Sequence, residues 1–389
     1  MNVKLFTEIE TRIIDAKTGK QVGGNKRKKN LILDGGLNAM ARSNALGLAC
    51  VPATATNTCL IGSGSTPNSI ASGAVTFTQS GTTITASGSF FTSGMVGWIF
   101  KWGTGSGGNE VYITAFTNAT TVTVGTSATV STPDIATVWN VARTTLDTFL
   151  FASSTYQTNS GDCGSTISGN QVTHKRTYVF PTQGSPYTVN EIGYATGVVS
   201  NRVLGRVVLG SSDVVGTTNF YVVVISMTVT YSPSTPLSVS NVGTNINTAG
   251  TLMIEGMNCT VVTSTGGTAS NPGSAPTTIL DNSGNFMFKT ATYTQNGTIQ
   301  PSSGASAASR LDVGSGSWVN DNTKVGSATL STTASVSTTG QTLFGFGFRD
   351  VNVTGLYMDI LFTTPQTAPT GTFNPSSVWR LTYTRTLVN

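Results

Sequence analysis

The chain has 389 residues, a formal net charge of +5 and only 10% charged residues, well below the roughly 25% of ordinary globular proteins. Its 38% apolar content with so little charge excludes the common disordered class, which depends on high net charge and few apolar side chains. Ser and Thr make up more than a quarter of the chain beside 44 Gly, and such a composition favours strands joined by tight turns.

Residues 3–15, "VKLFTEIETRIID", predict a long strand whose apolar positions alternate imperfectly (Val3, Leu5, Ile9, then Ile13 and Ile14). "AKTGK" predicts a turn with its glycine left-handed. A second strand follows, and then the basic run "GGNKRKKN". Residues 1–30 hold eight Lys/Arg against three acids, while the rest of the chain balances thirteen against thirteen. The charge excess is therefore local. One reading is a solvated hairpin tip, the usual fate of like-charge runs. The other is docking onto an acidic partner or nucleic acid. No interleaved aromatics of a single-strand binder accompany the run, which argues against nucleic acid.

The run leads into "KKNLILDGGLNAMA", residues 28–41. A short apolar strand (Leu31, Ile32, Leu33) gives way to a helical pattern over "GGLNAMARSNALG", with Leu37, Met40 and Ala41 on one face and Gly47 as the stop. This small helix is expected to plug one end of a sandwich. The N-terminal segment lacks the continuous apolar stretch of a secretory signal. No apolar run of about 18 residues occurs. Folding in a cytoplasm without membrane insertion is the expectation.

"LIGSGSTPNSIAS", residues 60–72, reads as strand then loop. Residues 73–142 differ in texture: "AVTFTQS", "TTITASG", "GWIFKW", "EVYITAF", "TTVTVG" and "ATVWNV" are short strands at hairpin spacing. Trp98, Trp102, Phe116 and Trp139 supply its core or its rim, and a sugar-stacking role is the lesser reading for them. After residue 143 the first pattern resumes through "QVTHKRTYVF", "NEIGYATG", "NRVLGRVVL" and "NFYVVVISMTVTY", the last apolar on both faces from Phe220 to Ile225. "SPSTPLS", residues 232–238, is the clearest linker. Seven further strand-like segments follow, from "LMIEGMNCTVV" to "SSVWRLTYTRTLVN". The expected architecture is all-β: multi-domain β-sandwiches with an inserted small β-barrel or sandwich and one short helix. The expected units are 1–72 plus 143–232, an insertion at 73–142, and a sandwich or jelly roll at 233–389.

Signals for chemistry are sparse. "GTGSGG", Gly103–Gly108, fits a dinucleotide fingerprint only as letters, because strands rather than a strand and a helix flank it. Cys50, Cys59, Cys163 and Cys259 form no CxxC pair, and with His174 as the sole histidine a structural zinc is not expected. Free thiols are the default, although Cys50 and Cys59 are close enough in sequence to bridge. His174, beside Lys175 and Arg176, reads as part of a charged solvent face. Asp281, Asp312, Asp321, Asp350 and Asp359 offer carboxylates that the sequence does not pair. "LDNSGNF" and "VNDNT" resemble Asx turns more than calcium loops. No catalytic, cofactor-binding or metal residue is assigned, and a ligand-binding set is unknown.

Three motifs carry a resemblance. "KNLILDGGLNAMA", then "IGSGSTP" at Ile61–Pro67, then Asn190-Glu191-Ile192-Gly193 followed by "NRVLGRVVL" and "FYVVVISMTVTY", are similar in kind and order to a pattern in tail and appendage proteins of tailed bacteriophages. The likeness covers residues 1–72 and 143–232. It implies a non-enzymatic virion component of tail, collar or fibre, working through copies of itself and neighbouring virion proteins. A capsid decoration or head fibre, and an adhesin binding a host-surface glycan or receptor through the C-terminal unit, are the alternatives.

Overall fold

A computed structural model describes residues 2–41, 58–103, 110–157, 162–168, 171–195 and 203–231. Beyond these it describes residues 257–263, 285–289, 310–315, 317–320, 325–333, 336–339, 342–349, 356–367, 370–373 and 376–387. The architecture is all-β, with a single α-helix among the described residues.

The first strand, β1 (Asn2–Asp15), buries Leu5, Thr7, Ile9, Thr11 and Ile13 on one face. Its other face carries Glu8 and Glu10, and the antiparallel partner β2 (Gln21–Ile32) sets Lys29 opposite Glu8 and Arg27 opposite Glu10. Arg27 makes an ion pair with Glu8, and the Lys29 ammonium stands 5.7 Å from the Phe6 ring centroid. The basic run is thus part of a strand body, with Arg27 paired to Glu8 and Lys26 to Asp213, and is not a hairpin tip. The tip is the turn at 16–20, with Gly19 at φ 69°. "GGN" forms an irregularity instead: Gly24 (φ 78°) and Asn25 (φ 59°) accompany a register shift between Thr11 and Arg12.

On the far side of β1 lies β15 (Asn219–Tyr231), then β12 (Gln171–Phe180) and β11 (Gly164–Ser168). On the far side of β2 come β14 (Gly205–Val215), β13 (Tyr187–Ala195), β3 (Thr58–Gly62) and β10 (Phe149–Ser153). The ends of this path approach each other: Tyr156 bridges Tyr178, and the Gln157 N–H donates to the Thr177 carbonyl at 2.8 Å. The result is a flattened, nearly closed barrel. Its interior is filled by Ile9, Ile13, Tyr178, Phe180, Ile192, Tyr194, Tyr221, Val223 and Ile225. The stretch from Tyr221 to Ile225 is buried on both faces, as its unbroken apolar run predicts.

His174 corrects the sequence reading. It points inward with Arg176 and Tyr178 and is 1% exposed, while Lys175 lies on the outer face. Alternation in β12 puts the even-numbered residues inside, so two polar members of "THKR" are buried.

Residues 69–139 make their own six-stranded sheet, in the order β4 (Ser69–Ala71), β9 (Ala136–Trp139), β6 (Ile99–Trp102), β7 (Glu110–Asn118), β8 (Thr121–Asp134), β5 (Phe77–Ala86). "TFTQS" and "TTITA" are not two strands of a hairpin. They form the single β5, bent at Gly81 (φ 60°). The core is aromatic: Phe77, Phe91, Phe100 and Trp102 pack with edge-to-face or tilted rings about Phe77 and Phe100. Trp98 and Phe116 lie partly buried against it. Trp139 belongs instead to a second cluster with Ile99, Leu31, Leu33, Leu60, Val141 and Val203. That cluster glues the six-stranded sheet to the outside of the barrel.

In the C-terminal part, β16 (Met257–Thr263), β23 (Leu356–Thr367), β22 (Thr342–Arg349), β17 (Asn285–Lys289) and β18 (Arg310–Ser315) form a five-stranded sheet. β21 (Val336–Thr339) pairs with β24 (Thr370–Phe373). β19 (Ser317–Asn320) and β20 (Ser327–Thr333) reach the barrel through β25 (Ser376–Arg385). β25 adds in parallel to Asn2–Leu5 of β1, where β2 has already turned away into the helix.

That helix, α1, is described over Asp34–Ala41; residues 42–57, with the expected stop at Gly47, lie outside the described residues. Leu37 and Met40 are buried. It sits against the start of β14, where the Leu33 N–H donates to the Leu204 carbonyl at 2.9 Å. A Cβ on Gly36 would lie 2.2 Å from that same carbonyl oxygen, so the "DGG" sequence permits the close approach. The helix also contacts β19, β20 and β25.

Burial, with Arg176 nearby, lowers the His174 imidazole from 6.5 to about 3. The folded protein therefore resists a proton that the unfolded chain accepts. Stability is fully present above about pH 6.5 and falls as pH drops toward the folded value, at up to about 1.4 kcal/mol per pH unit. Between about pH 6.5 and 5, before most carboxylates titrate, thermal melting of the native chain should decline with pH. His174→Leu should flatten that decline.

Candidate functional site

The outer face of β13 and β14 holds a buried charge cluster. Arg206 sits inside the apolar run "VLGRVVL", and its side chain is 0% exposed. Its Nε donates to Glu191 Oε2 at 2.7 Å, its Nη2 to Asp147 Oδ2 at 2.8 Å, and its Nη1 to Asn68 Oδ1 at 2.6 Å and the Thr66 carbonyl at 2.9 Å. Asn68 returns a bond from Nδ2 to the Arg206 carbonyl at 3.0 Å. Glu191, also fully buried, accepts three backbone N–H groups besides: Gly64 at 3.1 Å, Thr148 at 2.9 Å and Asp147 at 3.1 Å.

This geometry explains the motif spellings. Glu191 receives four donors, which matches the roughly four lone-pair positions of a carboxylate, so its acceptor positions are filled. The "IGSGSTP" loop is wrapped over it. A Cβ on Gly64 would sit 2.2 Å from Asp147 Cβ and 2.5 Å from Glu191 Oε1, and one on Gly62 would sit 2.5 Å from the Thr148 carbonyl oxygen. Asn190 fastens the same loop through the Ser63 carbonyl at 2.7 Å. Arg143 ion-pairs with the second Asp147 oxygen. Burial works to raise the Asp147 carboxyl, but the bond from Arg143 and the charge of Arg206 hold it below its ordinary value. Desolvation, together with Arg143, lowers Arg206 against the opposing pull of Glu191.

A second polar junction joins three parts of the chain. Asp34 opens α1, Tyr112 lies in β7 and Arg385 ends β25. The Tyr112 hydroxyl donates to Asp34 Oδ1 at 3.0 Å, while Arg385 Nη2 reaches Asp34 Oδ1 at 2.5 Å and the Tyr112 oxygen at 2.8 Å. Arg385 Nη1 caps the Ile32 carbonyl at 2.8 Å, and the Gly326 N–H donates to Asn38 Oδ1 at 2.8 Å. Burial raises the Asp34 carboxyl, opposed by Arg385, and burial likewise raises the Tyr112 hydroxyl.

The residues singled out from sequence fall elsewhere. Cys59 and Cys163 are buried and not joined in a disulfide; Cys50 lies outside the described residues, and Cys259 lies in β16. Burial raises both described thiols. Antiparallel β6 and β7 flank Gly103–Gly108, with Lys101 opposite Glu110. Asp281, Asp321 and Asp350 lie outside the described residues. Asp312 and Asp359 occupy one row of the five-stranded sheet, through Met287 and Gly347. Their backbones are three strand spacings apart, about 14 Å. No cluster of metal-ligating side chains occurs among the described residues, and no helix there is long and apolar enough to cross a membrane. No protein-family model, curated protein or solved structure matches the chain.

Arg385→Ala should remove the cation from a carboxylate that is only 19% exposed, a loss on the order of 2 kcal/mol. Hydrogen exchange followed by mass spectrometry should then show faster exchange at residues 2–5 and 376–385, with the six-stranded sheet unchanged.

Proposed function

We propose that the chain is a non-enzymatic structural component of a tailed-phage virion, in the tail, collar or fibre. It assembles with copies of itself and docks to neighbouring virion proteins. One observation supports this reading above the others: the motifs that carry the resemblance meet at one place. Leu31 and Ile32 of the first motif pair with Arg206 and Gly205. Arg206 binds Glu191 of the third motif, and Glu191 holds Gly64 of the second. A pattern that closes on itself in a buried knot suits a shared scaffold on which surface modules are mounted. The insertion and the C-terminal strands are attached to that scaffold by apolar packing and by Arg385.

Particles of the virus or prophage that encodes the chain provide the test. Gradient-purified particles should contain it at a fixed ratio to the major tail or capsid protein, as measured by quantitative peptide mass spectrometry. Gold-labelled antibody should mark one site on the tail or collar. A chain found only in the soluble lysate, at no fixed ratio to particles, contradicts the proposal.

A further inference from the structure

The barrel is open along one seam. β14 and β2 pair only through Gly205 with Ile32 and Arg206 with Leu31. Beyond Asn30 the ladder stops, and residues 21–30 and 207–215 continue as two facing edges. Unpaired edge backbone is a template for another strand, and proteins usually blunt it.

Inward-pointing Lys26 and Lys28 and the irregularity at Gly24 and Asn25 guard this edge against indiscriminate pairing, and three observations single it out as selective. Asn30, at the vertex of the fork, is 2% exposed, and neither its carboxamide nitrogen nor its oxygen has a hydrogen-bond partner. Buried polar side chains in native proteins are rarely left so. The lips of the seam are apolar and open: Val22 is 59% and Val214 64% exposed. The charge at the seam is also unbalanced. Lys26 crosses it to Asp213 at 2.7 Å and to the Ser211 carbonyl at 2.5 Å, so one acceptor of the β14 edge is already occupied, and Asp213 is itself held by Thr11 and Tyr221 at 2.9 Å each. That pair cancels. Lys28 projects on the same side of β2 and lies over Gly210, where a Cβ would come 3.8 Å from its Nζ. Lys20 stands exposed at the open end, and neither Lys28 nor Lys20 has an ion-pair partner among the described residues.

We propose that this seam is an acceptor site for an extended, acidic segment of another protein, bound as an added strand. Backbone pairing with β2 or β14 supplies register-independent affinity, and alternate side chains are read on the two faces. Inward-facing positions meet Asn30 and Lys28; outward-facing ones cover Val22 and Val214. The uncompensated lysines select acidic over basic sequences. This chain's own acid-bearing strand does not qualify as the occupant, because β1 is already paired on both edges, with β2 and β15. The inference goes beyond the virion reading and does not depend on it.

The full-length chain should be titrated with fluorescein-labelled peptides of alternating Glu and Val, followed by fluorescence anisotropy. Alternating Lys and Val, and a Glu/Val peptide interrupted by prolines, serve as controls. Saturable binding of the acidic strand peptide alone is expected. Lys28→Glu should weaken it by about tenfold, equivalent to roughly 1.4 kcal/mol, while Lys28→Arg retains it. Asn30→Leu should raise the melting temperature and weaken binding together. Bound peptide should slow amide exchange at residues 22–30 and 207–214. Equal binding of acidic and proline-interrupted peptides overturns the proposal, as does protection elsewhere, indifference to Lys28→Glu, or equal displacement by a single-stranded oligonucleotide.

Discussion

A guanidinium fully withdrawn from water must be met by acceptors on every side. Arg206 is met by a carboxylate on two of its nitrogens and by an amide and a carbonyl oxygen on the third. Those acceptors come from widely separated sequence: residues 66 and 68, residue 147 and residue 191. The cluster therefore fixes the path of the "IGSGSTP" loop and of the irregular segment before β10. Both in turn cover the outer face of β13. Without that cover, a sheet already filled on its inner face would expose its other face. The six-stranded module docks on that face beside the knot, through Trp139, Ile99 and Val141.

The short helix has a related role. It begins where β2 leaves the sheet, and β25 takes the vacated place beside β1. The start of the helix, a tyrosine of the six-stranded module and the arginine at the end of β25 then share one polar junction. An interruption in an otherwise β chain thus becomes the point at which three segments are tied together. Gly36, two residues after Asp34, lets the backbone of Leu204 approach the start of the helix.

The sequence made the strand content, the helix's place and the distinct texture of residues 73–142 legible, because alternation, turn residues and aromatic density are local properties. Its errors have a common physical origin. "GGNKRKKN" reads as a hairpin tip because its place in a strand opposite Glu8 and Glu10 is set by register across the hairpin, which no local signal reveals. His174 reads as exposed because its neighbours are basic, yet strand alternation buries it. "TFTQSGTTITA" reads as two strands because a glycine that bends a strand looks like one that ends it. The knot itself left one usable signal, an arginine in the middle of an apolar run, since such a residue is almost never buried unpaired. Its partners Asp147, Arg143 and Asn68 left none, because nothing local distinguishes an acid or amide in a loop that a distant arginine will claim. Tyr112 and Arg385 were hidden for the same reason.

The central claim is that Arg206 and Glu191 act as one unit to hold the scaffold together. A double-mutant cycle on the full chain tests it, with Arg206→Leu, Glu191→Leu and the double variant unfolded in urea. Interacting buried groups should show a coupling energy of at least about 2 kcal/mol, with the double variant less damaged than the sum of the two singles. Additivity within about 0.5 kcal/mol would contradict the account, since it would mean that the two side chains stabilise the barrel independently.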